Sequence, residues 1–152
     1  MKAVILAGGL GTRLRAVVPG KPKVMAEVGG APFVSWIMKS LKRGGITRVI
    51  LSVGYLSSQV EEYFKDSLDG IEIVYSKEET PRGTGGGVAL ASRFLTGDSA
   101  FVLNGDSWCV TNLRDYIQWH ISKKTEASLV MARVENSDRY GSVLCDSNQR
   151  IE

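Results

Sequence analysis

Short runs of wholly apolar residues alternate along this chain with segments of helical periodicity, and that alternation constrains the fold more than any other feature. The first run is Lys2 to Ala7, closed at once by Gly8-Gly9. It shows no in-out alternation, which suits a strand covered on both faces, as in a parallel sheet. Further strands are expected at Arg48–Val53, Ile71–Tyr75, Ala100–Leu103 and Ala127–Val134, with a sixth at Tyr140–Cys145. Helices are expected between them. In Ala31–Arg43, Phe33, Ile37, Met38 and Leu41 recur at helical spacing, and Gly44-Gly45 ends the pattern. The others are Ser58–Phe64, opened by its serine, then Thr84–Leu95 and Leu113–Lys123. Strand, helix, strand in repetition predicts an α/β domain: a Rossmann-like, mainly parallel sheet with helices on both faces.

Composition removes several classes of function. The 152 residues suit one domain, 1–152. One histidine, His120, excludes a multi-histidine zinc site, and two cysteines make neither a disulfide framework nor a four-thiolate site. A net charge of +3 without a basic run gives no case for nucleic acid. No apolar stretch is long enough to span a membrane, and the N-terminal run is too short for a signal peptide. A cytoplasmic protein is expected.

The glycines carry the next constraint. Six of the 17 fall between residues 8 and 30, in a loop too long to be a mere connection. It opens as Gly8-Gly9-Leu10-Gly11-Thr12-Arg13, directly after the first strand. Such a loop can turn backbone N–H groups on an anion, and Arg13 adds a planar cation suited to phosphate oxygens. It is neither G-x-G-x-x-G nor a P-loop. In Lys21-Pro22-Lys23-Val24-Met25 the proline stiffens the backbone before Lys23. Gly83-Thr84-Gly85-Gly86-Gly87 opens a helix at a cost in helix stability, which close approach by a flat or charged ligand would explain. Asn104-Gly105-Asp106 places a carboxylate at the end of an apolar strand, where it could hold Mg²⁺ or simply close a turn.

Together, AGGLGTRL (7–14), PKVM (22–25), GTGGG (83–87), LNGD (103–106) and RYGSV (139–143) resemble the sugar-phosphate nucleotidyltransferase family, whose fold is GT-A-like. The pattern is most like the D-glycero-α-D-manno-heptose 1-phosphate guanylyltransferases. Mannose-1-phosphate guanylyltransferases and N-acetylmuramate-1-phosphate uridylyltransferases are close behind. The resemblance implies transfer of a nucleoside monophosphate, GMP here, from an NTP to a sugar 1-phosphate, with release of pyrophosphate, as a step of sugar-nucleotide biosynthesis. It implies that Gly8, Gly9, Leu10, Gly11 and Thr12 wrap the triphosphate. Arg13 would face the charge on the leaving pyrophosphate and Lys23 the transferred phosphate, these two being the catalytic pair. Asp106 would bind Mg²⁺. Gly83, with Thr84, would lie against the base and Gly141 near the sugar. Glu78, five residues before Gly83, takes the family's base-reading position. A carboxylate there would accept from the two adjacent donors of guanine, so GTP is the expected nucleotide.

Two departures stand against the pattern. Family members continue into a segment with a sugar-contacting Glu-Lys pair and a second metal-binding aspartate, whereas this sequence stops at Glu152, which reads as a domain truncated at its C-terminus. Val110 also stands where some relatives carry an acid. A non-catalytic module that binds a nucleotide or sugar nucleotide is the alternative function, and a homo-oligomer stays open.

Overall fold

The computed structural model describes residues 1–9, 11, 19–97, 99–135 and 141–151. In chain order the elements are β1 (Lys2–Leu6), a short ribbon of β2 (Glu27–Val28) and β3 (Ala31–Pro32), then α1 (Phe33–Arg43) and β4 (Arg48–Val53). There follow α2 (Ser57–Phe64), β5 (Ser67–Leu68), β6 (Ile71–Lys77), α3 (Gly83–Ala91), β7 (Ala100–Asn104) and α4 (Leu113–Lys123). Single 3-10 turns occupy Lys23–Met25 and Ser92–Phe94. The chain divides into two units, Met1–Gln118 and Trp119–Glu152.

The first unit holds a five-stranded sheet in the order β5-β6-β4-β1-β7. β1 runs parallel to β4, from Lys2↔Arg48 to Leu6↔Ser52, and parallel to β7, from Lys2↔Ala100 to Leu6↔Asn104. β6 continues the parallel set beside β4, and β5 pairs antiparallel at the edge. Successive strand residues point to opposite faces. Ala3, Ile5, Val49, Leu51 and Ile73 therefore pack with α1 and α2 through Val34, Ile37, Met38, Leu41, Val60 and Phe64. Val4, Leu6, Ile50 and Val74 face the other way, against Ala91 of α3. Helices thus cover both faces of β1 and β4, which is why these two read as mainly apolar runs, whereas Val102 of β7 stays exposed. Each fully buried aliphatic side chain contributes roughly 1.5–3 kcal/mol.

Local chemistry ends α1 where the sequence predicts. Gly45 sits at φ +89°. Its N–H donates to the Lys42 carbonyl at 2.9 Å, and the Ile46 N–H donates to the Leu41 carbonyl at 3.0 Å. This is the Schellman arrangement, sealed by burial of both Ile46 and Leu41.

Several boundaries differ from the sequence reading. Ala31 and Pro32 belong to a strand, so α1 starts at Phe33. Neither Ser57 nor Ser58 caps α2; Leu56 stands before it at φ 55° without a side-chain cap, and the Ser57 N–H bonds to the Gly54 carbonyl. The expected Thr84–Leu95 helix is α3 followed by the 3-10 turn. β5 is too short and too polar to have been legible.

The expected strand Ala127–Val134 is not a strand, and Leu129, Val130, Met131 and Val134 are exposed. An apolar run becomes a strand only where a ladder satisfies its backbone N–H and C=O groups. Among its described residues the second unit has one bridge, Cys145 with Ile151. That bridge closes a turn in which Asp146 Oδ1 accepts from the N–H groups of Asn148 and Arg150, both at 2.8 Å. Of the expected strand Tyr140–Cys145, Tyr140 lies outside the described residues and 141–144 are irregular. In the same unit His120 Nδ1 lies 2.9 Å from Ser128 Oγ.

Candidate active site

Ligands of open α/β sheets bind outside the carboxyl ends of the strands, at the point where successive strands turn to opposite sides. Here β4 and β6 lie on one side of β1 and β7 on the other. At that point opens a cavity of about 340 Å³. Leu6 to Gly9 line it from the end of β1, Asn104 and Asp106 from the end of β7, and Glu78, Pro81, Gly83 and Thr84 from the segment joining β6 to α3. Lys23 and Val24 complete the wall.

The 3-10 turn positions Lys23. Pro22 enters it at φ −59°, the Met25 N–H donates to the Pro22 carbonyl at 2.9 Å, and the Ala26 N–H to the Lys23 carbonyl at 3.1 Å. Val24 and Met25 are buried in the α1 face of the core, so Lys23 is left pointing to the cavity side. Lys23 Nζ donates to Asp106 Oδ2 at 2.6 Å, with the two side chains 41% and 34% exposed. Partial burial alone would push the Asp106 carboxyl up. The hydrogen bond and charge of Lys23, with a hydrogen bond from Ser107, outweigh it and hold the carboxyl below the usual carboxylate value. The neighbouring Lys21 is a solvated partner of Glu27 at 3.0 Å and does not line the cavity.

Glu78 enters from the opposite side. Its Oε1 accepts from Ser52 Oγ–H and its Oε2 from the Arg82 N–H, both at 3.0 Å. The glycines around it divide by what they make room for. A Cβ on Gly87 would stand 2.8 Å from Glu78 Oε1, and one on Gly86 2.5 Å from Arg82 Cβ, whereas one on Gly85 would meet open space. Two of the three successive glycines thus make room for the protein's own side chains. Gly11 sits at φ +59°, and a Cβ there would lie 3.1 Å from Lys23 Cβ.

Of the residues singled out in the sequence, Gly8, Gly9, Lys23, Glu78, Gly83, Thr84 and Asp106 therefore share one cavity. Gly11 packs beside it. Leu10, Thr12 and Arg13 lie outside the described residues. Gly141 is an exposed residue of the second unit. Ser52 was missed. Its one signal was a hydroxyl among the aliphatic residues of the buried stretch VILSV.

The nucleotidyl transferase family model matches residues 2–152. The chain belongs to that family. It is 42% identical over 99% of its length to a D-glycero-alpha-D-manno-heptose 1-phosphate guanylyltransferase of Aneurinibacillus thermoaerophilus, covering 66% of that protein. A protein of the same name from Campylobacter jejuni is 39% identical, again with 99% of this chain and 66% of the relative covered. Among solved structures, HddC from Yersinia pseudotuberculosis, complexed with GMP-PN, superposes with a TM-score of 0.80 at 29% identity, over 99% of this chain and 67% of that one. The chain thus spans about two thirds of the length of these relatives. No helix among the described residues is long and apolar enough to cross a membrane.

Proposed function

We propose that the cavity takes a nucleoside triphosphate, GTP in preference, and that this family member serves transfer of GMP to a sugar 1-phosphate of heptose or mannose type with release of pyrophosphate. The observation that carries the reading is the meeting of Lys23 and Asp106. They are 83 residues apart in sequence and stand 2.6 Å apart beside the glycines that follow β1. A cation and an anion presented together at the strand ends suit a substrate that is itself a phosphate with its metal.

Asp106 fits a magnesium ion. Mg²⁺ binds through one or two carboxylates plus substrate phosphates and water, and a carboxyl held charged at the cavity edge supplies one such ligand. Among the described residues no three acidic, histidine or cysteine side chains gather into a separate protein cage. When bound, the metal would supply positive charge shared between phosphate oxygens.

In the reaction an oxygen of the sugar 1-phosphate attacks the α-phosphorus. The bond from that phosphorus to the bridging oxygen breaks, and its electrons leave with pyrophosphate. Two anions must meet, so the protein's task is positioning and neutralisation rather than covalent catalysis. The backbone around Gly8 and Gly9 would receive the triphosphate together with Leu10, Gly11 and Thr12, and Arg13 would face the leaving pyrophosphate. Lys23 would face the α-phosphate, and Asp106 would hold the metal. Gly83 and Thr84 would border the base and Gly141 the sugar. Glu78 would read the guanine edge: it has one protein donor on each oxygen, and one acceptor position on each remains for the adjacent N1–H and amino group. Two exposed, unpaired thiols, Cys109 and Cys145, suit a cytoplasmic setting.

The test is pyrophosphate release from GTP, ATP, CTP and UTP against heptose and mannose 1-phosphates, with nucleotide binding measured alongside. GTP is expected to lead, and Glu78→Gln to erode its lead more than it weakens UTP. Preference for another base would remove the guanine assignment. Nucleotide binding without pyrophosphate release from any pair would favour the non-catalytic binding module.

A further inference from the structure

We propose that Ser52 is a specificity-determining positioning residue: its buried hydroxyl fixes the carboxylate of Glu78 in the orientation that selects the nucleotide base. The inference rests on the assignment of Glu78 to the base and extends it to a residue on another strand.

Ser52 is 0% exposed, in a strand whose other interior positions are aliphatic. Burying a hydroxyl is unfavourable unless it is hydrogen-bonded, so an aliphatic residue would serve packing better. The hydroxyl donates to Glu78 Oε1 at 3.0 Å, across 26 residues of sequence. Two glycines let that oxygen seat closely against the backbone beside Ser52. A Cβ on Gly8 would approach Oε1 to 3.1 Å and one on Gly87 to 2.8 Å, the latter also reaching Ser52 Oγ at 3.2 Å. With the Arg82 N–H on Oε2, both oxygens are tied by donors of the protein itself. A carboxylate free to rotate could meet a donor-poor base edge with little loss. One held at both oxygens presents a fixed pair of acceptors, which only a base with two adjacent donors satisfies.

The neighbouring strand supplies the control. Ser76 pairs with Ser52 in the β4–β6 register and is also 0% exposed, yet its Oγ has no hydrogen-bond partner among the described residues. A buried serine hydroxyl on this face is therefore not by itself tied to Glu78.

The experiment measures equilibrium binding of GTP, ITP and UTP to the chain with Mg²⁺, and of inorganic tripolyphosphate as a probe of the phosphate subsite alone. ITP lacks the exocyclic amino group, so the GTP:ITP affinity ratio reports the second acceptor. Losing one hydrogen bond to a charged group predicts a wild-type ratio of about 10 or more. Ser52→Ala is expected to bring the ratio to within about threefold of unity while tripolyphosphate binding is unchanged. Ser76→Ala is expected to keep the wild-type ratio. If Ser52→Ala does not fold, Ser52→Cys keeps the volume with a weaker donor and should give an intermediate ratio. A wild-type ratio in the folded Ser52 variant, with a lowered one in Glu78→Gln, overturns the role of Ser52 and leaves the base assignment standing. A wild-type ratio in both overturns the base assignment, and the role of Ser52 with it.

Discussion

Replacing Lys23 by alanine separates a catalytic cation from a structural one. The structure gives the stability side directly. The Lys23–Asp106 pair is short, 2.6 Å, but its side chains are 41% and 34% exposed, so water screens it. Exposed ion pairs contribute about 0.2–1 kcal/mol. For a chain of this size, 1 kcal/mol moves the melting temperature by roughly 2–4 °C, so Lys23→Ala should lower it by no more than about 4 °C. The buried anchors of the turn, Val24 and Met25, remain. On the activity side, removing one donor aimed at developing transition-state charge costs roughly 10²–10³-fold in turnover. That is about 2.7–4 kcal/mol, several times the stability term. On the proposed role, nucleotide affinity should fall less than turnover, because the charge Lys23 would meet grows as the bond breaks. The assay is steady-state pyrophosphate release with GTP and a sugar 1-phosphate, beside a thermal melt of the same preparation. A near wild-type turnover, or a loss matched by a melting shift well beyond about 5 °C, would make Lys23 only the partner of Asp106.

Asp106→Asn should keep the fold, as the side chain is nearly isosteric and retains an acceptor for Ser107 Oγ, while Mn²⁺ binding followed by electron paramagnetic resonance and metal-dependent turnover are lost; collapse of the circular dichroism spectrum would instead make Asp106 a structural turn residue. Tyr75 is expected to contribute an alkaline limb of stability. Burial first, then the charges of Glu61 and Asp66, push its phenol up to about 12, and its OH donates to the Lys65 carbonyl at 2.6 Å. The folded value lies above the unfolded one of about 10, so this contribution is complete below about pH 10 and is lost as pH rises through 12. Tyr75→Phe should cost about 0.5–1.5 kcal/mol near neutrality and flatten the decline above pH 10 in denaturant melts; an unchanged alkaline limb would assign it to another group.

The features legible in the residues alone are local ones. The apolar run of β1 required a strand covered on both faces, the spacing of Ile37, Met38 and Leu41 required a helix with one buried side, and Gly45 required that helix to stop. The ordered set of short motifs carried the family, because each is a contiguous piece of chain whose chemistry does not depend on its neighbours in space. Tertiary structure decided what no window of sequence contains. Lys23 and Asp106 both stood out in the sequence, but only the pairing of β1 with β7 brings the end of one to the turn beside the other. Ser52 gained a partner from the register of β4 with β6, which carries the end of one strand to the segment leaving the next. Gly86 and Gly87 make room for Arg82 and Glu78, and the sequence could not show this, since a missing side chain records that space is needed without recording what fills it. Ala127–Val134 shows the converse. Its residues favour a strand, but a strand is completed by a neighbour's hydrogen bonds, and propensity cannot supply the neighbour.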